Sequence, residues 1–181
     1  MGYIANFTPC KLVAAQLLAA DAEQAASDAG LETLFGPIDY ASPVLDFSYT
    51  DYYRREMGER IVRRFVSFRD LVSPDRLAEI KIETNELEES FAAGGKRRIN
   101  LDPGLLNLSR FVLATTKDNS HRIALRDGIY AELTLQYSRK DFQILPWTYP
   151  DYATREYRDI LLIIRGIFKD DLKRAENSSG N

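Results

Sequence analysis

Apolar positions recur with two periods along this chain, and the switches between them mark out its elements. Lys11 to Leu18 is an apolar run of strand length interrupted by Gln16; behind it Asp21, in a capping position, opens the Ala-rich stretch AEQAASDAGLETLF, whose composition is helical. Phe35-Gly36-Pro37 is a break, and Ile38 to Phe47 holds aliphatic and aromatic residues between turn formers, as an extended segment does. Asp51 to Gly58 is short and charged and reads as a helical turn or a loop, and IVRRFVSF, Ile61 to Phe68, reads as a strand. Ser73-Pro74 starts a helix, with Ser as cap and Pro at the first helical position. Leu77, Ile80 and Leu87, with the stems of Lys81 and Glu88, carry its stripe to Phe91. Lys96 to Leu101 is then a short strand. The order βαββαβ predicts the α+β class and a ferredoxin-like α/β sandwich.

The pattern continues past that unit. Asp102-Pro103 has the form of a helix start, with Leu105, Leu108 and Val112 at helical spacing, although strand is the rival reading over Phe111 to Thr115. His121 to Leu125 and Ile129 to Tyr137 flank Arg126-Asp127-Gly128, a hairpin signal because Asp-Gly tolerates the positive φ of tight turns. In the second arm Ile129, Ala131, Leu133 and Leu135 alternate with Tyr130, Glu132, Thr134 and Gln136, which predicts one apolar and one polar face. A turn over Ser138 to Asp141 leads to a further strand at Phe142 to Leu145. Thr154 to Leu172 closes as an amphipathic helix burying Tyr157, Ile160, Leu161, Ile164 and Phe168. The C-terminal hairpin and helix thus extend the sandwich. With no internal repeat and no Pro, Gly or Ser-rich linker, residues 1–173 make a single α+β domain. The polar residues 174–181, RAENSSGN, are expected to be a disordered tail.

Composition narrows the function classes. With 45% hydrophobic and 28% charged residues in 181, the chain has the balance of a soluble globular protein. A formal net charge of −3 argues against coating DNA by bulk electrostatics and leaves room only for local basic patches. Arg54-Arg55, Arg63-Arg64 and Lys96-Arg97-Arg98 are three such clusters, for which solvated faces are the simpler explanation. The single cysteine, Cys10, rules out an intramolecular disulfide, so nothing points to an oxidising compartment. Leu12 to Ala20 is too short to cross a bilayer and follows no charged leader, and Asn6 stands where a myristoylation signal places Ser or Thr. The expectation is a cytoplasmic protein with no membrane partner.

Candidate chemistry is crowded between Lys96 and Tyr152. His121 is the only histidine, the one side chain type whose ordinary titration falls near neutrality, and it lies in the polar run Lys117 to Arg122 entering a strand. Hairpin symmetry places Glu132 opposite His121 and Arg122 or one step beyond, where a carboxylate orients an imidazole or pairs with Arg122. Asp102 caps a helix in the simplest reading. A helix N-terminus also attracts anions, and Arg97 and Arg98 just upstream would add to such a site. Trp147 and Tyr149 offer stacking surfaces or pack a loop on the core. Asp151 sits in Tyr-Pro-Asp-Tyr, an echo of Tyr49-Thr50-Asp51-Tyr52. His121, Glu132 and Asp102 are therefore the candidate catalytic residues, and Lys117, Arg122, Arg97, Arg98, Trp147, Tyr149 and Asp151 the candidate ligand-binding ones. His121, Asp102, Glu132 and Asp151 would just make a metal ligand set, but no HExxH or paired-cysteine spacing supports one, and no cofactor is indicated.

The strings FGPIDY, FSYTDYYRREMG, RRINLDPG, VLATTKDNSHRI, GIYAELTLQY and LPWTYPDY together resemble the prokaryotic domain-of-unknown-function 4416 family, from Lys11 to about Ile164. That resemblance brings no established activity, and the label "GTP-binding" given to some members implies nucleotide binding. Ala93-Gly94-Gly95-Lys96-Arg97 lacks both the first Gly and the hydroxyl of a phosphate-binding P-loop, so a nucleotide would need another kind of site. Two functions follow as expectations. The first is a domain that binds, or acts on, a phosphorylated or otherwise anionic small molecule. The second is a noncatalytic module for RNA or a protein partner, presenting Arg and Tyr from an open sheet face.

Overall fold

The computed structural model describes residues 2–20, 22 and 24–179. Asp21, the expected cap, lies outside the described residues. The fold is α+β, with nine strands and four helices among the described residues: β1 (Cys10–Ala19), α1 (Gln24–Phe35), β2 (Ile38–Ala41), β3 (Leu45–Asp46), α2 (Arg54–Met57), β4 (Ile61–Val72), α3 (Leu77–Ser90), β5 (Ile99–Leu106), β6 (Arg110–Thr115), β7 (Arg122–Ala124), β8 (Tyr130–Ser138), β9 (Asp141–Ile144) and α4 (Arg155–Ser179). Their pairings are antiparallel and form a single sheet in the order β2, β4, β1, β5, β6, β8, β7, with β3 beside β4 and β9 beside β8.

Helices lie on both faces of the sheet. Leu31 and Phe35 of α1 and Leu77, Ala78 and Ile80 of α3 pack on Leu12, Ala14, Val66 and Phe68. Tyr157, Ile160, Leu161, Ile164 and Phe168 of α4 pack on Val13, Ala15, Phe65 and Phe111 from the opposite side. Alternate side chains of β1 therefore enter opposite cores, and all ten of its residues are buried. That is why its sequence is a continuous apolar run rather than an alternating one. Among the described residues no helix is long and apolar enough to cross a membrane.

Three expectations need correction. Asp102-Pro103 does not open a helix: β5 runs through both residues to Leu106, and the helical spacing of Leu105, Leu108 and Val112 comes from two strands joined by a tight turn. The Asn107 side chain closes that turn by accepting from the backbone N–H groups of Ser109 and Arg110. Second, β8 does not keep one apolar and one polar face along its length. Glu132 and Thr134 are buried, and the ladder slips between Phe111↔Leu135 and Val112↔Leu133, leaving an extra residue in β8. A bulge of this kind re-aims the side chains that follow it, so Leu135 joins the α4 core while Ile129 and Ala131 face the α1–α3 core. Third, Arg63 and Arg64 are no surface cluster; both are buried, and as neighbours in a doubly covered strand they point to opposite faces.

Ser73 stands at the start of a 3₁₀ turn, Pro74–Arg76, that leads into α3, but its side chain makes no capping hydrogen bond. The hairpin turn forms as expected, with positive φ at both Asp127 (54°) and Gly128 (74°). Helix α4 is regular through Ser179, so helical structure reaches into the segment 174–179.

Candidate functional site

The site begins where two neighbouring strands part. β5 and β6 pair only from Gly104↔Leu113 to Leu106↔Phe111, while β5 stays on β1 as far as Ile99 and β6 stays on β8 as far as Thr115. By strand alternation Leu101, Pro103 and Leu105 direct their backbone groups away from β1. Pro103 has no N–H to give, so the β5–β6 ladder loses a donor where it ends. At Leu101 side chains from α3 replace the missing strand: Lys81 Nζ donates to its carbonyl at 2.7 Å and its N–H donates to Glu88 Oε1 at 2.7 Å. The resulting gap is a cleft of about 740 Å³, lined by β5, β6, β8, α3, α2 and the loop before α4.

Arg63 forms its floor. From β4, where it pairs with Leu17 of β1, it reaches across β1, and NH1 donates to Asp102 Oδ2 at 3.0 Å on β5 while NH2 donates to Asp151 Oδ2 at 3.2 Å. The guanidinium lies over the Phe47 ring, 5.2 Å from its centroid. Asp102 also accepts from Asn100 Nδ2 at 2.9 Å. Burial pushes the Asp102 carboxyl up, but the charges of Arg63 and Lys81 and the bonds from Arg63 and Asn100 outweigh it and hold the group below the ordinary aspartate range. Asp151 goes the other way: burial raises its pKa, and Arg63 and the Tyr152 N–H offset only part of that. Glu88 is likewise raised by burial, against the pull of Lys81.

The β8 wall is held from behind. Glu132 Oε2 accepts from Arg122 Nε at 2.8 Å and lies 3.0 Å from His121 Nε2. Arg122 spends its other donors on two loops, NH1 on the Lys117 carbonyl at 2.7 Å and NH2 on the Tyr149 hydroxyl at 2.6 Å. His121 stacks on Trp147, ring centroids 5.2 Å apart and planes 14° from parallel, and Trp147 Nε1 donates to the Leu133 carbonyl at 2.7 Å. Burial raises the Tyr149 hydroxyl, as do, to a lesser degree, the Glu132 and Asp102 charges.

Of the expected residues, Asp102, Glu132, Lys117, Arg97, Tyr149 and Asp151 line this one cleft. His121, Arg122 and Trp147 stand behind the wall, and Arg98, whose carbonyl accepts from the Ala19 N–H, lies outside it. The two echoing segments both line the cleft, contributing Tyr49, Thr50 and Tyr52 from one and Tyr149 to Tyr152 from the other. Sequence reasoning missed Arg63, Lys81, Glu88 and Asn100. The signal was present for Arg63: a strand buried on both faces has no solvated position for a charge, so an arginine inside it must have a buried partner.

Six carboxylates and four cations line the cleft among the described residues. Arg63 is ion-paired to Asp102 and Asp151, Lys81 to Glu88, and Arg97 to Glu56. Lys117 differs: its ammonium sits 4.5 Å from the Tyr52 ring centroid and has no carboxylate partner among the described residues. No group of three or more His, Cys, Asp or Glu among the described residues is arranged to hold a metal ion.

No curated protein and no solved structure matches the chain. The family described as Domain of unknown function (DUF4416) matches residues 8–168, strands β1 to β9 and most of α4, and to that family this chain belongs.

Proposed function

We propose that the cleft between β5 and β6 binds a phosphorylated or otherwise anionic small molecule. The observation that carries this reading is Lys117, the lining cation left without a carboxylate, at the rim of a 740 Å³ cleft whose other cations are ion-paired. Arg97, half-exposed in the cleft lining and bonded to Asn100 Oδ1 at 2.6 Å, is the second contact. Tyr52 and Tyr149 supply the flat surfaces against which a ring stacks. A cleft of this volume lies within the range of small-molecule sites. An RNA or protein module of the alternative kind uses an open sheet face, and here the central strands are covered on both sides, which favours the small molecule.

The test is a thermal-shift screen of nucleotides, phosphosugars and inorganic phosphate on wild type, Lys117→Ala and Arg97→Ala. A ligand of the native state raises Tm by mass action. At least one phosphorylated compound is expected to shift the wild type by several degrees and Lys117→Ala by less than half as much. No shift from any anion, or shifts that neither variant reduces, would defeat the reading.

We also infer that β1, α1, β2, β4, α3 and β5 form a ferredoxin-like unit. The strand order β5, β1, β4, β2 and the placement of α1 and α3 on one face support it. A cytoplasmic location is our reading from the single cysteine and the absence, among the described residues, of a helix fit to cross a membrane.

A further inference from the structure

We infer that the ligand carries hydroxyl groups as well as its anion, held at opposite ends: hydroxyls at the floor and the foot of the β8 wall, among Asp102, Asp151 and Glu132, the anion outward at Lys117. The class is a phosphate ester of a polyhydroxy compound. This inference rests on the anion-binding reading of the same cleft.

The floor and the rim differ in what they offer. Each floor carboxylate is held by the protein, but by few bonds. Asp102 accepts one bond on each oxygen, from Asn100 and Arg63. Asp151 accepts from Arg63 on Oδ2 and from the Tyr152 N–H on Oδ1. Glu132 Oε2 takes both His121 and Arg122, while Oε1 has only a long contact of 3.4 Å from Thr134 Oγ1. A carboxylate has about four acceptor positions, so the floor retains capacity for ligand donors. Asp102 and Asp151 share the single charge of Arg63, and that pair of carboxylates repels a second anion, which places the ligand's own charge elsewhere.

Two buried atoms sharpen the choice of donor. Arg63 Nε and the Tyr152 hydroxyl have no hydrogen-bond partner among the described residues, although their side chains are more than nine-tenths buried and both residues line the cleft; the Tyr157 hydroxyl near the same arginine is also unpartnered but does not line it. An ammonium group would satisfy the carboxylates and leave Arg63 as it is, and a phosphate would do the reverse. A hydroxyl donates to a carboxylate and accepts from a guanidinium or phenol at once through a single atom, so it suits both kinds of partner. The Lys117 ammonium, a strongly hydrated point charge on an exposed stem, suits a phosphate at the mouth.

Isothermal titration of the full chain separates the two ends. The probes are ribose 5-phosphate, glucose 6-phosphate and adenosine 5′-monophosphate, each beside its unphosphorylated parent, with phenyl phosphate and inorganic phosphate as anions that bring no hydroxyl-bearing carbon skeleton. At least one phosphorylated polyol is expected to bind tenfold or more tightly than phenyl phosphate. Asp102→Asn should remove most of that preference without weakening phenyl phosphate, and Lys117→Ala should weaken phosphorylated probes while leaving the parents unchanged. If Asp102→Asn does not fold, Asp151→Asn makes the same comparison. Phenyl phosphate binding as tightly as every polyol phosphate, with Lys117 dependence, would overturn the hydroxyl end and leave the anion reading standing. No binding by any phosphorylated probe would overturn both.

Discussion

Gly104 shows how tightly a single position can be drawn into the site. A Cβ built there would lie 2.6 Å from Phe111 Cζ and 2.9 Å from the Val112 carbonyl oxygen, and the backbone oxygen has nowhere to go. The residue sits on the last β5–β6 rung before the strands part. Gly104→Ala is expected to destabilise the fold by about 1–3 kcal/mol, the usual cost of overpacking, as a lower urea midpoint at unchanged slope. An unaltered midpoint would mean that β6 yields more easily than the contact implies.

The two aspartates on Arg63 make opposite contributions to acid stability. A carboxyl whose folded pKa is depressed stabilises above its unfolded value and loses that contribution as pH falls through the folded pKa. For Asp102 the loss begins below the ordinary value of 3.8. A raised carboxyl such as Asp151 carries a penalty at neutral pH that protonation relieves as pH falls toward 3.8. The melting temperature should therefore hold or rise slightly on mild acidification and fall below pH 3.8, and the fall should be shallower in Asp102→Asn. An identical acid limb in that variant would show that Asp102 is not held ionised by Arg63.

Between elements, the decisive connection is Arg122. Its guanidinium joins β8 through Glu132 to the loop after β6 through Lys117 and to the loop before α4 through Tyr149. Three partners in three directions need a planar fork, which a lysine ammonium on a flexible stem does not provide. Arg122→Lys should cost about 1–3 kcal/mol in stability, and amide exchange should speed up in both loops together while α1 stays protected. Exchange confined to one loop would show that they are not coupled through this residue. The pairing of His121 and Arg122 with Glu132 was legible in the sequence, because hairpin register follows from the Asp-Gly turn. The bulge that turns Glu132 and Leu135 to the same side was not, since an extra residue in a ladder leaves no mark in an alternating pattern.

Taken whole, the molecule is a sheet whose central strands are covered on both faces, and α4 is the closing piece on the side where Asp102, Asp151 and Arg63 point. Phe168 is buried at 1% exposure near the middle of that helix. Phe168→Ala should lower stability by about 3–5 kcal/mol in a single cooperative unfolding transition. A biphasic transition would mean that α4 is docked on, rather than part of, the common core.

Local order in the chain determined most of the strands, the three long helices and the hairpin, because period and turn chemistry act over a few residues. It also marked Lys117 to Arg122 and Tyr149 to Tyr152 as places where polar and aromatic groups gather. Only the tertiary structure decided that Asp102-Pro103 is strand rather than helix start, since a proline can end a ladder as well as begin a helix. Only it showed that β5 and β6 part company there, that Arg63 lies beneath the gap, and that two segments about a hundred residues apart in sequence line it together. Those facts depend on which strand lies beside which, and strand neighbours are chosen by burial over the whole sheet rather than by any residue's nearest companions.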